Sequence, residues 1–358
     1  MSKYLIPIDN VLSLRAISRN DTLKHVITNH CNAPSRTLVI DRQGWCFVCA
    51  CEAWLPITVG NISDFSSLDQ VWNNPVAQSL QKEIDDRLYT HCAVDRCGIL
   101  TEDNIQPKYN ISINIDDSCN LKCPSCRTDM VMSTSGADFD RRSAQVDHLV
   151  NLLENFDHPC HITMTGNGDP LASSIMRPLI HRYVPRHNHT VRLFTNGLLL
   201  EKQLSTAPPI LNNITQYFVS IDAGSAEVYE RVRLGGQFTQ LIKNLDFLKT
   251  LVEQTGAEVL LKFVLQQDNY ADMQNFVDLC YHYNFRGVIN RLEDWGTWND
   301  YTRHDVIGNG AHSLHIASVE NLVEIYKKYV NIPYPTTGGR NLINFNPSLI
   351  MLCKEQLQ

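Results

Sequence analysis

From residue 109 onward, short apolar runs alternate with stretches whose apolar positions recur every three or four residues. Runs of the first kind read as strands and the second as amphipathic helices, and their alternation predicts a parallel sheet built from right-handed crossovers. Strands are expected at 111–115, 161–165, 191–194, 216–221, 258–265 and 287–291, with helices at 142–155, 176–183, 238–253 and 270–283. Six such units are too few to close an eight-stranded barrel. They suit an α/β fold in the form of an open partial (βα)6 barrel, with the loops at the strand C-termini forming the site.

Before residue 109 the pattern changes. Residues 37–40 read as a strand, 41–44 as a turn and Trp45 as the start of a second strand, which together make a hairpin. Residues 68–87 then read as one amphipathic helix, with Val71, Trp72, Val76, Leu80 and Ile84 at helical spacing. A hairpin-plus-helix unit has a thin core that a metal cluster would staple. The expected domains are therefore 1–105 for this small unit, 106–330 for the partial barrel and 331–358 for a C-terminal tail.

The composition narrows the function classes. A formal net charge of -7 argues against broad binding to a polyanion, so a nucleic-acid partner is not expected. No stretch is a long uninterrupted apolar run, so no membrane partner is expected and the cytoplasm is the expected location. Nine of the 12 cysteines fall between Cys31 and Cys126, which in a chain without a secretion signal points to metal or redox chemistry rather than disulfides.

Cys119, Cys123 and Cys126 follow the strand that begins near residue 109, with the spacing C-x3-C-x2-C. Thiolates so close in sequence converge on one soft metal centre. When only three sulfurs hold a four-iron cluster, the fourth iron is open to a substrate or cofactor. A structural zinc knuckle is the alternative, but such sites close with a fourth Cys or His, and the next histidine downstream, His148, falls within an expected helix.

Other chemistry-bearing residues fall at strand ends. Thr165-Gly166-Asn167-Gly168-Asp169-Pro170 follows the second expected strand, Phe194-Thr195-Asn196-Gly197 the third and Val219-Ser220-Ile221-Asp222 the fourth. Each alone is also ordinary turn chemistry. Arg233 lies downstream in the segment 229–236, either as a two-pronged partner for a carboxylate or as a solvated helix-end cation.

Taken in order, the triad and these strand ends resemble the radical SAM superfamily over about residues 109–298. The resemblance implies a 4Fe-4S cluster on Cys119, Cys123 and Cys126 that binds S-adenosylmethionine (SAM). It implies that Gly166, Gly168 and Asp169 form the turn holding the methionine amino group, with Asp169 in the usual glutamate slot. Asn196, Ser220 and Asp222 correspond to the ribose-contacting strand ends, and Arg233 to the arginine that binds the methionine carboxylate. The ends of the fifth and sixth strands would face adenine and substrate. Ser125 departs from the family, which commonly has an aromatic residue near adenine before the last cluster cysteine.

Cys31, Gly44 and Cys49 resemble the first half of the SPASM/twitch auxiliary-cluster motif, with Cys92 and Cys97 as the closing pair. The implied second cofactor is an auxiliary 4Fe-4S cluster held by Cys31, Cys49, Cys92 and Cys97. Cys51 can replace Cys49, because alternate strand residues point the same way, and four thiolates would also hold a structural zinc. Too few cysteines remain for a second auxiliary cluster, so twitch is the closer label, and the module precedes the barrel here. Cys160, Cys280 and Cys353 read as buried or incidental thiols and the pair His187 and His189 as a solvated loop, while Trp295 and Trp298 serve either packing or a substrate pocket.

The activity implied by the resemblance is reductive cleavage of SAM to a 5'-deoxyadenosyl radical that abstracts a substrate hydrogen, in oxidative modification or crosslinking of a peptide or protein side chain. A dehydrogenase or epimerase of a small polar metabolite is the alternative within the family. A non-catalytic iron-sulfur electron-transfer protein and a zinc-stabilised binding module are the alternatives outside it. The implied partners are an electron donor such as flavodoxin or ferredoxin and a peptide or small-molecule substrate.

Overall fold

The computed structural model describes residues 31–49, 57–92, 108–165, 167–333 and 341–357. The chain divides into two compact units made of interleaved segments. One comprises Met1–Asp117, Ser133–Gly168 and Ser173–Arg192, and the other Ser118–Met132, Asp169–Ala172 and Leu193–Gln358. The domain boundary expected at 105/106 lies outside the described residues.

In the first unit the strands are β1 (Thr37–Ile40), β2 (Trp45–Phe47), β3 (Thr58–Asn61), β4 (Tyr109–Ile113) and β5 (Cys160–Met164), in the order β5-β4-β1-β2-β3. The hairpin expected at 37–45 is β1 paired antiparallel with β2. At its turn Asp41 accepts from the backbone N–H groups of Gln43 and Trp45, both at 2.8 Å. Gly44 has φ +83, a left-handed conformation that calls for glycine at this turn. β1 also pairs in parallel with β4, and β4 in parallel with β5.

The helices of this unit are α1 (Ala33–Arg36), α2 (Asp69–Trp72), α3 (Pro75–Asp85), α4 (Ala137–Glu154) and α5 (Arg177–His181). The single helix expected over 68–87 is in fact two. Pro75 has no N–H with which to continue the preceding helix, and the Asn74 side chain caps the new one by accepting from Val76 N at 2.9 Å. α4 buries Val146, Leu149, Val150 and Leu153 in the core that also takes in Ile111, Ile113, Ile162 and Met164 of the sheet.

The second unit takes the last residues of β6 (His189–Thr195) and all of β7 (Ile214–Ser220), β8 (Glu258–Leu265), β9 (Arg286–Arg291) and β10 (Ile343–Phe345), in the order β10-β9-β8-β7-β6. β7, β8, β9 and β10 pair in parallel. Its helices are α6 (Leu200–Leu204), α7 (Ala226–Val232), α8 (Phe238–Thr255), α9 (Met273–Tyr283), α10 (His315–Tyr329) and α11 (Pro347–Glu355). The tail, for which the sequence predicts no element, therefore supplies an edge strand and a helix.

Along β8 burial alternates strictly. Val259, Leu261, Phe263 and Leu265 are fully buried, with Phe263 5.1 Å from Phe276 of α9, while Lys262 and its face-mates are half-buried. A parallel sheet covered on both faces reads as a continuous apolar run, so this alternation marks one face packed under helices and one left partly open. The partly open face carries Phe194, Phe218, Ser220 and Lys262 at or near the strand C-termini.

Candidate functional site

The loop Ser118–Met132 carries the cysteine triad and belongs to the second unit. It is tied down through its backbone. Cys119 N donates to Val131 O at 2.8 Å, Lys122 N to Leu234 O at 2.9 Å, Cys126 N to Cys123 O at 2.9 Å and Asp169 N to Ser118 O at 2.8 Å. Cys119 and Cys123 are buried and Cys126 is exposed. Burial pushes the Cys119 thiol up to about 11. It also raises Cys123, against the pull of Arg233.

Among the described residues, no three His, Cys, Asp or Glu side chains converge as the ligands of a single ion do. The triad thiols nonetheless share one loop, in which Cys126 N donates to Cys123 O at 2.9 Å. A cluster of several irons takes its thiolates at separate corners rather than at one point. The donor set fits such a group, because each sulfur meets a side-chain N–H. Asn196 Nδ2 stands 3.8 Å from Cys119 Sγ, Arg233 Nη1 3.5 Å from Cys123 Sγ and Arg127 Nη2 4.0 Å from Cys126 Sγ. Donors aimed at sulfur favour thiolate over thiol, and thiolate is the form that binds metal.

Asp169 is buried, and its carboxylate is turned to the protein. Oδ2 accepts from Asn196 N at 2.7 Å and Thr195 Oγ1 at 2.9 Å, and Oδ1 accepts from Leu171 N at 2.9 Å. Burial raises its pKa against those hydrogen bonds. Asp169 thus anchors the end of β6 and so orients Asn196, whose Nδ2 also donates to Asn120 Oδ1 at 2.9 Å.

Asp222 sits past the end of β7 at φ +55, where both Ile221 N and Asp222 N donate to Lys262 O at 3.1 Å. Its side chain, 3% exposed, accepts from Val264 N at 2.8 Å and pairs with Arg233 Nη2 at 2.7 Å. Burial pushes the Asp222 carboxyl up while Arg233 opposes it. Burial also works against the Arg233 cation, but Asp222 and then Cys123 outweigh it and hold the guanidinium charged. Arg233 Nε and Tyr229 Oη are buried without a hydrogen-bond partner.

Of the residues singled out from the sequence, the second unit thus holds two hydrogen-bonded groups, Asp169 with Asn196 and Cys119, and Asp222 with Arg233, Cys123 and Cys126. Ser220 is half-buried at the end of β7, in register with Lys262. Gly168 is half-buried in the turn before Asp169, and Gly166 lies outside the described residues. Asn120 and Arg127 escaped the sequence reading, although their adjacency to Cys119 and Cys126 was the available signal. The stacked rings of Phe194 and Phe218, 4.3 Å apart, and Lys262 over Phe194 at 5.4 Å had no signal beyond alternation along the strand.

In the first unit, Cys31 lies in an apolar cluster with Ala33, Ile84 and Tyr89, and Cys92 packs against that cluster. Cys49 is half-buried just past β2, Cys46 is fully buried, and Cys51 and Cys97 lie outside the described residues. His91, next to Cys92, holds Glu83 through Nδ1 at 2.6 Å, with both side chains under a tenth exposed and Nε2 without a hydrogen-bond partner. His189 is not solvated as expected. It is buried, with Nδ1 2.7 Å from Tyr183 Oη and Nε2 2.8 Å from Phe156 O.

Residues 31–98 match the SPASM family, described as an iron-sulfur cluster-binding domain. A GTP 3',8-cyclase of Limosilactobacillus fermentum is 27% identical over 201 residues, 52% of this chain and 56% of that protein. An AdoMet-dependent heme synthase of Oleidesulfovibrio alaskensis is 28% identical over 172 residues, 48% and 42% of the two chains. Mycofactocin maturase MftC of Mycobacterium tuberculosis is 24% identical over 185 residues, 51% and 44%. The chain spans about half the length of the curated relatives it matches. Cysteine triad, SPASM match and relatives together make the chain similar to radical SAM enzymes, with a SPASM-like match at residues 31–98.

Proposed function

We propose that the chain cleaves SAM reductively and uses the resulting radical for oxidative modification or crosslinking of a peptide or protein side chain. The observation that carries this reading is the loop on which three sulfurs each meet a side-chain N–H, beside the buried Arg233. A 4Fe-4S cluster with SAM, when bound, supplies a 5'-deoxyadenosyl radical that takes a hydrogen atom from substrate.

The chain's own residues supply binding, orientation and exclusion of water. Cys119, Cys123 and Cys126 would hold the cluster. Asp169 keeps Asn196 in place at the end of β6, where its amide, like the Ser220 hydroxyl at the end of β7, can meet ribose hydroxyls. The unused Nε of Arg233 is a buried donor available to the amino-acid part of SAM. The stacked Phe194 and Phe218 line the partly open sheet face with apolar surface, which keeps water from a reactive intermediate.

In this reading residues 106–330 form an open partial (βα)6 barrel and residues 331–358 a C-terminal tail. Residues 1–105 form an auxiliary domain ahead of the barrel, with Cys31, Cys49, Cys92 and Cys97 on a second 4Fe-4S cluster. The SPASM match over 31–98 supports that assignment. The protein works in the cytoplasm with a flavodoxin or ferredoxin as electron donor. Among the described residues no helix is long and apolar enough to cross a membrane. The SPASM match together with a relative named as a maturase favours a peptide substrate. The relative named as a GTP cyclase supports a second reading, in which the substrate is a small polar metabolite.

Anaerobic reconstitution, with iron and sulfide counted and dithionite-driven deoxyadenosine formation assayed, tests the proposal against a Cys119, Cys123 and Cys126 triple alanine variant. About eight irons, with cleavage lost in the variant, are expected for two four-iron clusters. Deoxyadenosine formed equally well by the variant would refute the assignment of the triad. One deoxyadenosine per product, with SAM consumed, is expected for oxidation, and SAM recycled at each turnover would exclude it.

A further inference from the structure

Each triad sulfur has a donor, but the donors differ in kind. Asn196 on Cys119 is neutral, and Arg127 on Cys126 stands at an exposed sulfur. Arg233 on Cys123 brings a full charge to a buried sulfur, and Asp222 balances that charge at 2.7 Å. The pair is held from the backbone on both sides. Arg233 N donates to Tyr229 O at 2.7 Å at the end of α7. Asp222 is fixed by Val264 N on its side chain and by Asn269 Nδ2, 2.9 Å from its carbonyl. With side chains 11% and 3% exposed, little water screens either charge.

We propose that the Arg233–Asp222 ion pair is a positioning device that sets the reduction potential of the cluster on Cys119, Cys123 and Cys126. This rests on the cluster reading above. Adding one electron makes the cluster more negative, so a cation donating to its sulfur favours the reduced form and a nearby carboxylate opposes it. The two members of the pair therefore act with opposite signs. Arg233→Gln removes the cation and leaves Asp222 uncompensated, which lowers the potential. Asp222→Asn leaves the guanidinium uncompensated, which raises it, and asparagine tolerates the positive φ at that position. Arg233→Lys keeps the charge while losing the two-pronged fork.

The test is an EPR-monitored redox titration of the reconstituted full chain without SAM, following the signal that vanishes in the Cys119, Cys123 and Cys126 triple alanine variant. At a solution potential equal to the wild-type midpoint, Arg233→Gln should lower the reduced-to-oxidised ratio about tenfold and Asp222→Asn raise it about tenfold. Each tenfold change corresponds to about 59 mV for one electron. Arg233→Lys should stay within about threefold of wild type, an allowance of under half that shift. Opposite shifts support the pair as the tuning device, since loss of packing alone would not reverse sign between its two members. Shifts in the same direction, or both within about threefold of wild type, overturn it. If Arg233→Gln does not fold, Asp222→Asn decides alone, and a ratio that does not rise overturns the proposal. A wild type without a triad-dependent signal overturns the cluster reading itself, and this proposal with it.

Discussion

Arg142 offers the sharpest test of how the first unit is held together around Asp116. Its side chain is 7% exposed and pairs with Asp116 at 2.8 Å, Asp117 at 3.1 Å and Asp138 at 2.7 Å, and it also donates to Ser133 Oγ at 3.0 Å. Asp116, whose side chain is fully buried, stands three residues before Cys119, and it also accepts from Asp117 N at 2.9 Å and from the hydroxyl of Ser173. Arg142→Ala strips this carboxylate of its countercharge. Breaking a buried pair by removing one member costs about 3–5 kcal/mol, whereas the contact with the largely exposed Asp138 adds at most about 0.5 kcal/mol. The expected loss is therefore about 4 kcal/mol, a large share of a typical domain's stability. With a urea m-value of about 2 kcal/mol/M, the unfolding midpoint of the metal-free chain should fall by about 2 M. Adding Asp116→Asn to Arg142→Ala removes the stranded charge and should recover about half of the loss or more, as a coupling energy of about 2 kcal/mol in a double-mutant cycle. A midpoint shift below about 0.5 M, or additive effects in the cycle, would refute the claim that this ion pair stabilises the first unit.

Two further outcomes follow from the site. In the metal-free protein the exposed Cys126 should alkylate first, while labelling of Cys119 should rise only as pH approaches about 11, measured by peptide mass spectrometry; Cys119 reacting as fast as Cys126 at pH 8 would contradict its burial. Burial raises the Asp169 carboxyl above the ordinary 3.8, so its titration contributes stability that is complete below that pH and lost as pH rises through the folded value. The stability of wild type relative to Asp169→Asn should accordingly decline as pH rises above about 4, and a flat difference in denaturation midpoints would show that Asp169 does not titrate as described.

Much of the architecture was legible because strand and helix periodicities are local properties of the chain. The strand expected at 258–265 is β8 to the residue, and the other five expected strands shift by at most about two residues at either end, within the usual spread of boundaries. The helix expected over 68–87 failed because its apolar spacing passes through Pro75, where the missing N–H outweighs the pattern. The edge strand β10 escaped because three residues carry too little alternation to register, and its partner β9 is more than fifty residues away in sequence.

Local sequence was enough for the alternation of strands and helices, the spacing of Cys119, Cys123 and Cys126, and the order in which polar residues close the strands. These are set over a few residues, where backbone geometry and side-chain type suffice. What those residues do to one another was set by folding. It turned the Asp169 carboxylate toward Asn196 and Thr195, paired Asp222 with Arg233, aimed Arg233 at a sulfur 110 positions earlier in the chain, and packed Cys92 against the cluster that contains Cys31. Such contacts depend on burial and on which strands lie side by side, because a charge finds its partner in the folded interior, where little water remains to compete for it.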